Sequence, residues 1–191
     1  MTLDEYLYYR SRIVELDAES FIRAGSKTPP SDATDFALRV AYVILNSGMK
    51  WSVAQSIWER LRASLIERGH VGDSFKHPRK RDAIDRMMRE RDVKFEEFQA
   101  AWCDGPDAVI AFCSTLEFIG AVTKFHLAKN LGVDCAKPDV WLERVAKSGG
   151  ETVETMCRRL SEGSGDRVAT VDFVIWKSGE RGLWYVGSPK M

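Results

Sequence analysis

The sequence has no surplus of either charge. Its 28 Lys plus Arg equal its 28 Asp plus Glu over 191 residues, which argues against non-specific coating of DNA and leaves only local basic faces to look for. No apolar run approaches the length needed to span a bilayer, and the opening residues MTLDEYLYYR lack a signal-peptide profile. A soluble, cytoplasmic protein with no membrane partner is therefore expected. Cysteines are few and scattered: Cys103, Cys113, Cys135 and Cys157 form no CxxC pair, and His70, His77 and His126 show no ligand spacing. That pattern argues against a structural zinc site, so no metal and no cofactor are expected. The cysteines read as small apolar residues in a reducing compartment. Internal repeats and low-complexity tracts are also missing.

What the chain does contain is helical periodicity. Leu3, Tyr6, Leu7, Ile13, Leu16 and Phe21 predict a helix over 2–24, opened by a Thr2–Glu5 capping box. After the linker GSKTPPSD (25–32), a cap at Ser31 or Asp32 opens a helix over 34–46. Phe36, Ala37, Val40, Ala41, Val43, Ile44 and Leu45 leave that helix little polar surface, which places it centrally in the core. Further helices are expected around Val53–Leu65, over VKFEEFQAAW up to Gly105-Pro106, and over 140–146 and 151–160. The stretch VATVDFVIW (168–176) has β-branched residues that suit a strand, but Val168, Val171, Val174 and Ile175 fit a helical face equally well. With everything before it helical, it is read as a helix, and Leu183-Trp184-Tyr185-Val186 as a tail packed on the body. The expected class is all-α, and the length suits one domain or one domain in two lobes.

The middle of the chain carries the most specific pattern. Pro106 to Phe112 has apolar residues at helical spacing, Leu116 to Gly120 breaks the run with a glycine, and a second helix begins near Ala121 and stops at Gly132. Lys137-Pro138-Asp139 follows as an extended loop. Leu116-Glu117-Phe118-Ile119-Gly120-Ala121-Val122-Thr123 resembles the helix-hairpin-helix element of the HhH-GPD superfamily of DNA base-excision glycosylases. Asp139 falls 19 residues past Gly120, about where that superfamily places its catalytic aspartate. The resemblance implies a two-lobed helical glycosylase-like fold, one domain over 1–191, with its hairpin at 107–132 and its catalytic-type loop at 134–140. In such a hairpin, backbone amides at the glycine turn hold a phosphate of double-stranded DNA without base preference. Gly120, Val122 and Thr123 would supply the amides, Thr123 a hydroxyl, and Lys124 a nearby charge. An ordinary corner between two helices is the alternative reading of the same turn.

The resemblance extends to roles for other residues. Asp139 would activate water or stabilise positive charge at C1′ as the base leaves; by residue type alone it is also a helix N-cap, and the two roles can coexist. Members that cleave the strand use a hairpin lysine, and Val122 stands at that position. The implied enzyme therefore removes a base without cutting, with Lys137 as the one amine near the acid. The helix carrying Tyr42 and Asn46 would line the base pocket. Met49 or Asn46 would fill the gap left by a flipped base, and Trp51 would stack on a base. On the residues alone, Trp51 is equally a core residue and Asn46-Ser47-Gly48 a helix stop. The densest positive run, Phe75 to Arg81, includes Lys80 and reads either as a phosphate track or as a solvated face. Some superfamily members carry a four-cysteine iron–sulfur cluster, a motif missing here.

The implied function is a monofunctional DNA N-glycosylase acting as an intracellular, DNA-associated monomer. Two alternatives stay open: a glycosylase-fold enzyme of viral thymine hypermodification that alters the base without excising it, and a non-catalytic hairpin module that only binds DNA.

Overall fold

The computed structural model describes residues 1–72 and 75–185, except the side chain of Tyr185; Val186, at the end of the expected tail, lies outside them. The described residues form an all-α protein of ten helices with no strand: α1 (Leu3–Gly25), α2 (Ala33–Asn46), α3 (Trp51–Arg68), α4 (Pro78–Arg89), α5 (Arg91–Asp104), α6 (Pro106–Cys113), α7 (Thr123–Asn130), α8 (Val140–Ser148), α9 (Val153–Ser164) and α10 (Val168–Glu180). A 3-10 turn, Leu183–Tyr185, follows. None of these helices is long and apolar enough to cross a membrane.

The chain divides into two compact units. One joins Met1–Lys27 to the chain from Asp134 onward; the other is Thr28–Val133.

In the discontinuous unit, α1 packs along α10 and α9, and α8 closes the group. Thr2 and Glu5 form the expected capping box, with the Thr2 hydroxyl accepting the Glu5 N–H and the Glu5 carboxylate accepting the Thr2 N–H. An interruption within α1 was not legible in the sequence: Asp17 leaves the helical region, and its carboxylate accepts the Ser20 N–H at 3.2 Å, capping the second half afresh. The core gathers Tyr6 and Ile13 from α1, Leu142 from α8, Leu160 from α9 and Val174 and Ile175 from α10, all at most 1 % exposed. Burial on this face decides α10. Apolar residues recurring every three or four positions find partners only as a helix, which outweighs the strand propensity of the β-branched residues.

In the continuous unit, α2 is central as its composition requires, packing against α3, α4, α5 and α7. Phe36 stacks on Phe98 of α5 with ring centroids 5.4 Å apart. Asp32 caps α2 through the Asp35 N–H at 2.8 Å. Gly132 ends α7 in the left-handed region at φ 99°, and a Cβ there would lie 2.7 Å from the backbone of Thr28 and Pro29. No residue but glycine fits that crossing.

Candidate functional site

The hairpin candidates belong to the continuous unit. Leu116 and Ile119, both 6 % exposed, anchor the connection between α6 and α7, and the Ile119 N–H closes a turn on the Leu116 carbonyl. The left-handed residue of this turn is Phe118, at φ 63°; Gly120, expected to supply that conformation, lies outside the left-handed region. The backbone reverses two residues earlier than the glycine suggests. A non-glycine residue in that region costs about 1–2 kcal/mol and persists only where its surroundings hold it. Here Glu117 is ion-paired with Arg86 of α4, and the Phe118 ring stands edge-on to His77.

α7 starts at Thr123 rather than at Ala121, with no side-chain cap. The N–H groups of Gly120, Ala121 and Val122 have no acceptor among the described residues, and all three residues are exposed. The Thr123 N–H, which opens α7, adds to this row, whereas the Lys124 N–H is taken by the Gly120 carbonyl at 3.0 Å. A Cβ placed on Gly120 would meet nothing within 4 Å. Lys124 is half-buried on the first turn of α7, its ammonium 5.2 Å from the Phe125 ring centre. Such a row of outward amides at a helix start can bind an anion oxygen.

Tyr42 is half-buried on α2, its ring packed edge-on against Trp58 of α3 at 5.3 Å and His126 of α7 at 6.4 Å. Asn46 does not project as a wedge: its amide donates to the Tyr42 carbonyl at 2.7 Å and finishes the helix. Met49, in the following loop, is partly exposed, and Trp51 opens α3 with 45 % of its surface exposed, so it is not a core residue. Lys80 requires a larger correction. Only 5 % exposed, it donates its ammonium to the carbonyls of Leu45, at 2.9 Å, and Ser47. The carbonyl end of α2 is a local negative pole, and it draws the cation inward. Burial moves the Lys80 pKa below its ordinary value. A phosphate cannot reach a group so placed.

The acid belongs to the discontinuous unit. Asp139 is the N-cap of α8: its Oδ1 accepts the N–H groups of Trp141 at 3.0 Å and Leu142 at 3.3 Å. Oδ2 points toward the Lys137 ammonium, 3.8 Å away, and the side chain is 14 % exposed. The carboxylate is thus divided, one oxygen serving the helix and the other facing, among the described residues, the Lys137 ammonium.

Three residues that sequence reasoning did not single out hold this loop. Asp134 Oδ1 accepts the Ala169 N–H at 2.9 Å at the start of α10. Asp172, 3 % exposed within α10, accepts the Lys137 N–H at 2.6 Å. Gly179 lies under Trp141, whose ring carbons would be 2.7 Å from a Cβ at that position. The only sequence signal for any of them is an acid in the middle of the apolar run VATVDFVIW.

The structure therefore brings Asp139 and Lys137 together in one unit and places Gly120, Val122, Thr123, Lys124, Tyr42, Asn46, Met49, Trp51 and Lys80 in the other. No three His, Cys, Asp or Glu side chains gather as metal ligands among the described residues. Cys113 and Cys157 are buried, Cys135 is partly so, and Cys103 is exposed. Comparison of the chain with family models, with curated proteins and with solved structures finds no match.

Proposed function

We propose that this chain is a DNA N-glycosylase-like enzyme of the helix-hairpin-helix type, acting on double-stranded DNA inside the cell as a monomer. The observation that carries the reading is the divided carboxylate of Asp139. Two amides fix Oδ1, which sets the orientation of the group, while Oδ2 has only the Lys137 ammonium, 3.8 Å away, among the described residues.

An oriented carboxylate can act on a base-excision substrate in a simple way. The C1′–N bond breaks and its electron pair leaves with the base. The cationic charge that develops at C1′ is stabilised by Oδ2, and water adds to C1′ and gives up its proton to the carboxylate. Lys137 steadies Oδ2. In the continuous unit, the outward amides of Gly120, Val122 and Thr123, with Lys124 beside them, hold a DNA phosphate.

A second reading is favoured by the same N-cap. Capping α8 is by itself a sufficient reason for an aspartate at 139, so a DNA-binding module without catalysis would keep this residue too.

Mass spectrometry of bases and nucleosides separates the readings. Wild type and Asp139→Asn are incubated with duplexes carrying alkylated, oxidised, deaminated and hypermodified bases. Free base from wild type, with a loss of about 100-fold or more in Asp139→Asn, is the expected result. A mass-shifted nucleoside without release would replace excision by base modification. Duplex binding with neither product, unaffected by Asp139→Asn, would establish the binding module and sink the enzyme.

A further inference from the structure

On the surface of the continuous unit, a groove runs between α3 and the segment that leads into α4. Ile57 and Pro78 give it apolar lining, and Arg60, Lys76 and Arg79 line it as well. These three cations are exposed, and none is ion-paired among the described residues. Elsewhere in the unit, exposed Arg86 and half-buried Lys94 are paired with carboxylates. No acid lines the groove among the described residues. One wall is a parallel pair of rings: His77, exposed, lies over Phe75 with centroids 6.0 Å apart and planes 15° from parallel. Phe75 is 6 % exposed and supports the pair from within. The His77 ring is fixed at its Nδ1, which accepts the Lys80 N–H at 3.3 Å and caps α4.

We infer that this groove binds single-stranded DNA, its backbone tracked by Arg60, Lys76 and Arg79 and one base stacked against His77. Cations arranged along a groove with a fixed, backed aromatic ring match how proteins hold unpaired strands without reading their sequence. A duplex keeps its bases stacked on each other, so the ring can stack on a base only when a strand presents a free base face. The inference stands apart from the glycosylase reading, since strand binding and base release are separate measurements and either can fail alone.

Fluorescence anisotropy of a short labelled oligothymidylate with the full chain tests it, over a series of salt concentrations. Wild type is expected to bind with a steep salt dependence. Arg60→Ala/Arg79→Ala should bind more weakly and lower the slope of log affinity against log salt by about 1.4, or about 0.7 for each phosphate that is no longer neutralised. His77→Asn keeps a cap acceptor for α4 but removes the ring, and should weaken binding about fivefold or more at unchanged slope. An abasic oligomer of the same length should bind wild type about as weakly as the thymidylate binds His77→Asn. Far-UV circular dichroism verifies that each variant keeps its helices. Unchanged binding in the double variant, equal affinity for abasic and thymidylate strands, or no binding by wild type at low salt would each overturn the inference.

Discussion

Asp172 is where the arrangement around Asp139 can be probed most directly, because it holds the loop without touching the acid. It is 3 % exposed and accepts the Lys137 N–H at 2.6 Å. A hydrogen bond to a charged group contributes about 1.5–3 kcal/mol net. Asp172→Ala removes the acceptor and leaves the Lys137 N–H with water at best, so the loss should fall in that range. For a chain of this length, 1 kcal/mol corresponds to about 2–4 °C in Tm. The melting temperature should thus fall by about 3–12 °C, followed by circular dichroism. Asp172→Asn keeps an oxygen of similar position and removes the charge, and should recover about half of the loss. Both variants melting within about 2 °C of wild type would refute the reasoning, since the hydrogen bond would then contribute less than a typical surface pair. Under the proposed activity, Asp172→Ala should also lower kcat more than it raises KM, because the loosened loop orients Asp139 but binds no DNA.

Two further outcomes test the same unit. Gly179→Ala would set a Cβ 2.7 Å from the Trp141 ring and should destabilise by about 1–3 kcal/mol through overpacking; urea unfolding measures this, and a change in near-UV circular dichroism should accompany it because Trp141 stands edge-on to Trp184 at 5.4 Å. An unchanged midpoint would mean that Trp141 moves aside freely. The Tyr6 phenol is held above its ordinary value of 10.0, first by burial and then by its hydrogen bond to Asp166. The unfolded phenol loses its proton above pH 10 while the folded one keeps it, so its contribution is complete below pH 10 and declines as pH rises, by up to about 1.4 kcal/mol per unit. Tyr6→Phe should therefore make the fall in stability above pH 10 shallower by about that slope, read from urea unfolding at pH 9 and at higher pH. Equal slopes in both proteins would refute the assignment.

Local chemistry was legible in the sequence wherever one residue type and its near neighbours decide the structure. The Thr2–Glu5 box, the Asp32 and Asp139 caps and the left-handed Gly132 all follow from short-range hydrogen bonding or sterics, and each is present. The all-α class followed from periodicity, including α10 against its strand propensity. What was not legible depends on partners far along the chain. That α1 folds with the chain from Asp134 onward is a tertiary choice that leaves no local mark. Lys80 looked like one more exposed cation in a basic run, because nothing nearby in sequence says that the carbonyl end of α2 lies within its reach. Asp134, Asp172 and Gly179 act on the Asp139 loop across 35 residues or more of chain, or through one ring, and only the buried acid in VATVDFVIW hinted at any of them.

The connection between α6 and α7 gives the sharpest difference between the two kinds of information. Glycine at 120 suggested that the turn needs a left-handed residue there, yet Phe118 takes that conformation. A bulky side chain accepts about 1–2 kcal/mol of strain, offset by the buried anchors Leu116 and Ile119 on either side. Gly120 is then left with no conformational or packing reason to lack a side chain, since a Cβ would meet open space. The fold does not use what glycine offers at this position. Under the proposed function an anion would use it, because a bare Cα lets the anion come up to the neighbouring amides without a side chain in the way. Under the proposed function, the strain sits on the residue that shapes the turn, and the glycine is kept for the residue that must be approached.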